Sequence, residues 1–363
     1  MAAYSPLTDS QSMPISTRTD LRPGEWFNDL QKYARYPMCE LLWNSGIFKT
    51  WSGTKFTWRI ADNPGDPKPA TSMYKTFSAD NQNRLYRAEI EPKHHEETFG
   101  LDETEEDMNS SEAQLVDETK LGLTQMYQRA CDSVEDHAFS TNVTAGQLDE
   151  IPLNYYVNIP SNANGTFCGQ VPAGQTLVAN VDPITAHQEY RNYANLFTAY
   201  TNEDFGLKTS QMLESIDFNP PPQATGGESG PGIDALRIYT APTSMSNFEL
   251  SRTYQNDQLG SDAVPMFRRT MVKGITPVTV PALEPTTRNG LTLAGSEPWY
   301  FLNHFHLFPV FIPNWHFREK AGQVPMSHMK WWGVFWKYNW VCTKRRVQGA
   351  LGKLAPFGEG AFV

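Results

Sequence analysis

Thr54-Lys-Phe-Thr-Trp-Arg-Ile60 and Arg84-Leu-Tyr-Arg-Ala-Glu-Ile-Glu91 are the stretches from which this sequence is read. In the first, Phe56, Trp58 and Ile60 alternate with Lys55, Thr57 and Arg59; in the second, Tyr86, Ala88 and Ile90 alternate with Arg87, Glu89 and Glu91. A period of two sends successive side chains to opposite faces, so both read as half-exposed strands. Between them lie Asp62-Asn-Pro-Gly-Asp-Pro-Lys-Pro69 and a polar run to Asn83. Proline and glycine interrupt regular structure. The simplest arrangement is a long two-stranded arm; the alternative is an ordinary hairpin on a larger sheet. An isolated two-stranded ribbon is marginal in water, so an arm must lean on something outside its own domain. Lys55, Arg59, Arg84 and Arg87, read as its polar face, are the candidate intersubunit contacts.

Downstream, residues 96–118 hold ten Asp/Glu and no Lys or Arg. Ser111 followed by Gln114 fits a helix-capping box, and acids there complement the helix dipole. Val116, Leu123, Met126, Tyr127, Ala130, Val134 and Ala138 recur at helical spacing. They predict one amphipathic helix from about Ser111 to Phe139, roughly 42 Å long. Globular helices average about 11–12 residues, so this one reads as a structural spine.

The flanks read as follows. Residues 1–24 form a polar arm. Glu25–Trp43 predicts a short helix broken near Pro37. Short strands are expected around Tyr155–Ile159 and Thr176–Val181, and one or two helices over Thr185–Leu213. Asn219-Pro-Pro-Pro222 and Gly226–Gly232 form a loop. Strands follow at Leu236–Tyr239, Met271–Ile275 and Val278–Val280, then an aromatic-rich C-terminal part ending in Lys344-Arg345-Arg346.

Composition narrows the function. The 363 residues carry a formal charge of −10, with 19% charged and 12% aromatic residues. Such a chain buries a core and is not disordered. Low charge with many large rings suits extensive contacts with other chains. An acidic protein lacks the basic footprint that grips DNA phosphates. The cysteines Cys39, Cys131, Cys168 and Cys342 include no CxxC pair, which argues against a zinc ribbon or disulfide scaffold; free thiols are expected. The N-terminus reads as carrying no export signal, and Phe301–Phe317 and Trp331–Cys342 are too short and interrupted to cross a bilayer. The sequons at Asn142 and Asn164 read as chance matches.

No catalytic constellation emerges. His94 and His95 are adjacent, so in a strand they face opposite ways and cannot share a metal. His304 and His306 could chelate, with His316 near, but their aromatic neighbours favour packing. HExxH, GxSxG and Walker patterns are absent. The carboxylates from Asp102 to Asp107 lie in a solvated run that lacks the calcium-loop pattern. Trp331, Trp332, Trp336, Tyr338 and Trp340 with nearby cations resemble a nucleic-acid stacking surface, but alternating rings in a strand more often mean core. The expectation is no catalytic residue, no metal and no cofactor. Residues 301–355 carry eight Lys/Arg and one acid, Glu319, opposite in sign to 96–118. Such patches suit head-to-tail contact between copies, or pair within one chain.

The order of elements resembles the major capsid protein of tailed double-stranded DNA phages, an α+β fold of the Hong Kong 97 type. Residues 1–43 resemble its N-terminal arm and 44–100 its extended E-loop hairpin, with the tip near Pro64–Asn83. Residues 101–184 resemble the peripheral domain with its spine helix, 185–265 the axial domain, and 266–363 the late strands returning to both. Met271-Val-Lys-Gly-Ile-Thr-Pro-Val-Thr-Val-Pro281 and Tyr300-Phe-Leu-Asn303 carry local similarity to those strands. The resemblance implies self-assembly into hexamers and pentamers of an icosahedral head enclosing double-stranded DNA. It implies portal and scaffolding proteins as further partners, with cement proteins as optional ones. It places the protein in the virion shell, assembled in the host cytoplasm without membrane contact. No long coiled-coil scaffold region is seen at the N-terminus, so scaffolding is separate or unneeded. The competing reading is a cytosolic metal-dependent hydrolase built on His304 and His306.

Overall fold

The computed structural model describes residues 36–44, 47–61, 85–108, 118–140, 151–160, 163–168, 171, 175–216, 218, 235–256, 271–272, 274–284, 296–324 and 327–354. Its helices are α1 (Pro37–Asn44), α2 (Glu103–Met108), α3 (Glu118–Ala138), α4 (Leu153–Tyr156), α5 (Leu207–Ser215) and α6 (Pro242–Asn256). The strands are β1 (Lys49–Thr50), β2 (Phe56–Ala61), β3 (Leu85–Ile90), β4 (Lys93–Asp102), β5 (Asn164–Cys168), β6 (Asn192–Phe197) and β7 (Leu236–Thr240). They continue as β8 (Val278–Thr279), β9 (Ser296–Asn303), β10 (Leu307–Phe311), β11 (Arg318–Gln323), β12 (Met329–Cys342) and β13 (Gly349–Lys353).

One sheet is built around β12. The first ten of its 14 residues lie antiparallel to β4, from Met329↔Asp102 to Tyr338↔Lys93. The other edge of β12 carries β11 on its first half and β10 on its second, and β1 adds in parallel to β10. Tyr338 through Cys342 are buried without alternation, because this half of the strand has protein on both faces. Helix α3 lies across β4, burying Met126, Ala130 and Val134. Gly122 makes that approach close: a Cβ there would stand 2.2 Å from the Phe99 ring.

The second sheet has the order β5-β6-β13-β9-β7-β8. The chain first passes between the two sheets from β4 to β5, then crosses again from β9 to β10 and from β12 to β13. The last two crossings are sewn together. Asn303 N–H donates to Gln348 Oε1 at 2.8 Å and Gln348 Nε2 donates to the Asn303 carbonyl at 3.0 Å. Thr343 N–H donates to the His306 carbonyl at 2.8 Å. Arg345 is fully buried here. It donates to the carbonyls of Tyr156 (2.7 Å) and Tyr190 (3.1 Å) and to Asn192 Oδ1 (3.0 Å). A buried guanidinium is tolerable only when its donors are met this fully. It is an interior tie, so part of the C-terminal basic run is not a surface patch.

Several expectations are corrected. Residues 44–100 are not one free hairpin. The ribbon pairs β2 with β3 only, from Phe56↔Ile90 to Ala61↔Leu85, while Lys93–Asp102 enters the β12 sheet as β4. The base of the ribbon also rests on its own core: Phe56, Ala88 and Ile90 are buried, and Glu89 N–H donates to the Ala179 carbonyl at 3.0 Å. Tyr155–Ile159 is no strand; α4 forms there, behind Pro152. Tyr155 and Tyr156 are both buried there. Thr185–Leu213 contains strand β6, buried at every position, and helix only from Leu207, after a π-helical turn. Met271–Ile275 pairs through the single bridge Val272↔Ile275, around Gly274 at φ 82°. Strand β5 and helix α6 were not anticipated. Helix α1 begins at Pro37, where the break was expected. Spine helix α3 is described over 21 residues; the proposed cap at Ser111 and Gln114, and residues 1–35, lie outside the described residues.

Glu135 of α3 joins this helix to α1. Glu40 N–H donates to the Tyr36 carbonyl, so the amides of Met38 and Cys39 are left without intrahelical acceptors. Glu135 Oε1 accepts both, at 2.5 and 3.3 Å. Its Oε2 is buried with no hydrogen-bond partner among the described residues. Burial raises the carboxyl to about 8, against the pull of the two amides.

Two outcomes are expected. Arg345→Met should cost about 3 kcal/mol or more, since three acceptors lose their donor in the interior; denaturant unfolding measures it. A carboxyl whose folded value is raised binds more protons folded than unfolded, so stability should fall as pH rises from about 5 to 8. Glu135→Gln should remove that component from the pH dependence of the thermal midpoint.

Candidate intersubunit surface

The β2–β3 ribbon has two unlike faces. Phe56, Trp58, Ile60, Ala88 and Ile90 face the core, and Tyr86 meets the His187 ring at 3.6 Å between centroids. The opposite face carries Lys55, Thr57, Arg59, Arg87 and Glu89. Lys55 Nζ pairs with Glu89 at 3.0 Å and lies 3.9 Å from Glu91. The Glu89 carboxylate holds the ammonium above its ordinary value. Lys55 is therefore committed within the ribbon.

Arg59 and Arg87 differ. They are direct cross-strand partners, and both are exposed. Like charges opposite one another destabilise a strand pair. Among the described residues no carboxylate is ion-paired to either guanidinium. Leu85 beside them is 52% exposed and Trp51, at the foot of the ribbon, is 50% exposed. These two guanidinium groups, without a carboxylate partner among the described residues, lie beside exposed apolar side chains. Arg84 lies outside the described residues.

The opposite-sign patches, by contrast, pair within the chain. Because β4 lies alongside β12, Glu103 meets Lys330 at 3.7 Å and His328 at 3.6 Å. Arg129 of α3 lies 3.5 Å from Glu97. Arg346 pairs with Glu189, and Lys353 with Glu297 at 2.7 Å. Between the two patches themselves the intramolecular alternative is seen at Glu103, which meets Lys330 and His328.

The histidines are occupied structurally. His304 is fully buried, with Nε2 on Tyr239 Oη and Nδ1 on the Leu307 carbonyl, each at 2.9 Å. Burial, reinforced by Arg237, lowers it to about 3. His306 is lowered to about 4 by burial and by Lys344 and Lys49, and its Nδ1 lies 3.2 Å from Thr343 Oγ1. His316 Nε2 meets the Leu42 carbonyl at 2.9 Å. Neither nitrogen of His304 is left for a metal, and among the described residues no three His, Cys, Asp or Glu converge on one. The C-terminal rings are core as well: Trp336, Tyr338 and Trp340 are buried. His94 and His95 do take opposite faces of β4, the first exposed and the second buried.

Neither a protein-family model nor a curated protein matches this chain. Solved structures do. The subunit of the cyanophage A-1(L) capsid asymmetric unit superposes with a TM-score of 0.62 at 12% identity, over 92% of this chain and 97% of that one. The capsid of the native GTA particle superposes at 0.54 and 9% identity, over 96% and 100%. The capsid of the empty GTA particle gives 0.55 at 10% identity, over 93% and 96%. The fold is the Hong Kong 97 type. No helix among the described residues is long and apolar enough to cross a membrane.

Arg87→Glu separates folding from contact. It places opposite charges across the ribbon, so subunit stability should stay level or rise by about 0.2–1 kcal/mol. Association with other copies should fall, read by sedimentation of the variant beside the wild type.

Proposed function

We propose that the chain is the major capsid protein of a tailed double-stranded DNA phage, assembling into hexamers and pentamers of an icosahedral head. The observation that carries this reading is correspondence with capsid subunits over 92–96% of this chain and 97–100% of theirs. The ribbon supports it. An E-loop whose polar face holds Arg59 opposite Arg87 gains when a neighbouring copy supplies carboxylates. Lys55, already paired with Glu89, and Arg84, outside the described residues, are the further candidate contacts in this reading. Each such contact is weak, and ring closure multiplies them, because every subunit is held on several sides.

Residues 1–43 serve as the arm and 185–265 as the bulk of the axial domain in this reading. Portal and scaffolding proteins are the further partners, and cement proteins optional ones. An acidic subunit, at −10, encloses the DNA without gripping it by sequence. The protein resides in the virion shell after assembly in the host cytoplasm. The hydrolase reading is set aside, since its histidines bond to protein groups.

Electron microscopy of the purified protein is the test. Closed shells or rings of five or six subunits are expected. A protein that stays monomeric at high concentration, with and without a co-expressed scaffold, would contradict the proposal.

A further inference from the structure

Helix α1 meets spine helix α3 at three successive points. Tyr36 bonds to Asp132, which together with burial pushes the phenol up to about 12. Glu135 Oε1 accepts the Cys39 amide at 3.3 Å. Cys131 lies four residues before Glu135, one turn back on the same face of α3. Cys39 and Cys131 are thereby neighbours across the contact of the two helices, near enough for each thiol to bear on the ionisation of the other. Both are free, Cys39 buried and Cys131 partly open to solvent. The remaining thiols are engaged elsewhere: Cys168 with the Thr166 carbonyl at 3.4 Å, and Cys342 buried beside Tyr190.

We propose that Cys39 and Cys131 are a reversible dithiol–disulfide couple which, when oxidised, fastens helix α1 covalently to the spine helix. The contact favours a division of labour. The neighbouring Cys39 thiol holds Cys131 below its ordinary value, while Cys131 and burial hold Cys39 above. A partly exposed thiolate is the reactive kind of cysteine. Cys131 attacks one sulfur of a small-molecule disulfide such as glutathione disulfide, whose S–S bond breaks and releases one glutathione thiolate. That thiolate takes up the proton lost by Cys131. Cys39 then attacks the Cys131 sulfur of the mixed disulfide. The second glutathione leaves and takes the Cys39 proton. Two protein thiols are oxidised and one glutathione disulfide is reduced to two thiols, so the step balances.

The bond would close a long loop, the situation in which a cross-link most restricts the unfolded chain. In a reducing cytoplasm the pair stays open; outside the cell it closes. Use as a lock set on release rests on the capsid reading, but the bond itself does not.

The full-length protein is treated with glutathione disulfide, then denatured, alkylated and mapped by mass spectrometry. Two of the four thiols should escape alkylation, and a linked peptide should join Cys39 to Cys131 and vanish on reduction. Cys39→Ser should halt at a glutathione adduct on Cys131; Cys131→Ser should leave Cys39 unmodified. Four alkylated thiols, or a bond between any other pair, would overturn the proposal. Particle formation is read separately by electron microscopy. Absence of particles counts against the capsid reading and leaves the bond intact. Particles equally resistant to heat with the pair open or closed would overturn its use as a lock.

Discussion

The fold depends on a seam. The chain passes between its two sheets at residues 303–307 and 342–349, and both passages run through the interior. Buried backbone groups outside a ladder need partners. Asn303, Gln348 and Arg345 supply them, reciprocally in the first two cases and as a three-way tie in the third. With these bonds in place, β9 and β13 belong to one sheet while β10 and β12 belong to the other. Apolar burial drives each sheet to form, but the seam fixes how one follows from the other.

What the sequence revealed follows from exposure. Strands β2 and β3 were legible because one face meets core and the other water, which writes a period of two into the residues. The spine helix was legible for the same reason at a period near four. Strand β6, Asn192-Tyr-Ala-Asn-Leu-Phe197, is buried throughout and so carries no period; it was misread as helix. Strand β4 was hidden differently. Its His94-His95-Glu96-Glu97 core does not read as a strand, yet it lies antiparallel to β12, which arrives from far along the chain, and Glu97 is answered by Arg129 of α3. The seam was invisible, since Arg345 meets Tyr156, Tyr190 and Asn192 only after the chain has folded.

The candidate surface was half legible. Lys55, Arg59 and Arg87 were picked out by alternation, and Arg84 lies outside the described residues. The structure then divides them: Lys55 is answered by Glu89 within the ribbon, while Arg59 and Arg87 are set against each other. Cross-strand register decides that division, and register is a property of the pairing rather than of either strand alone.

The seating of Gly122 against Phe99 has a mechanical meaning. With no side chain between helix backbone and ring, α3 and β4 meet without a spacer. The helix cannot roll about its axis without driving its own backbone into the aromatic plane. Helix and strand therefore behave as a single stiff beam, and whatever bending the subunit undergoes is displaced toward the crossings between the sheets.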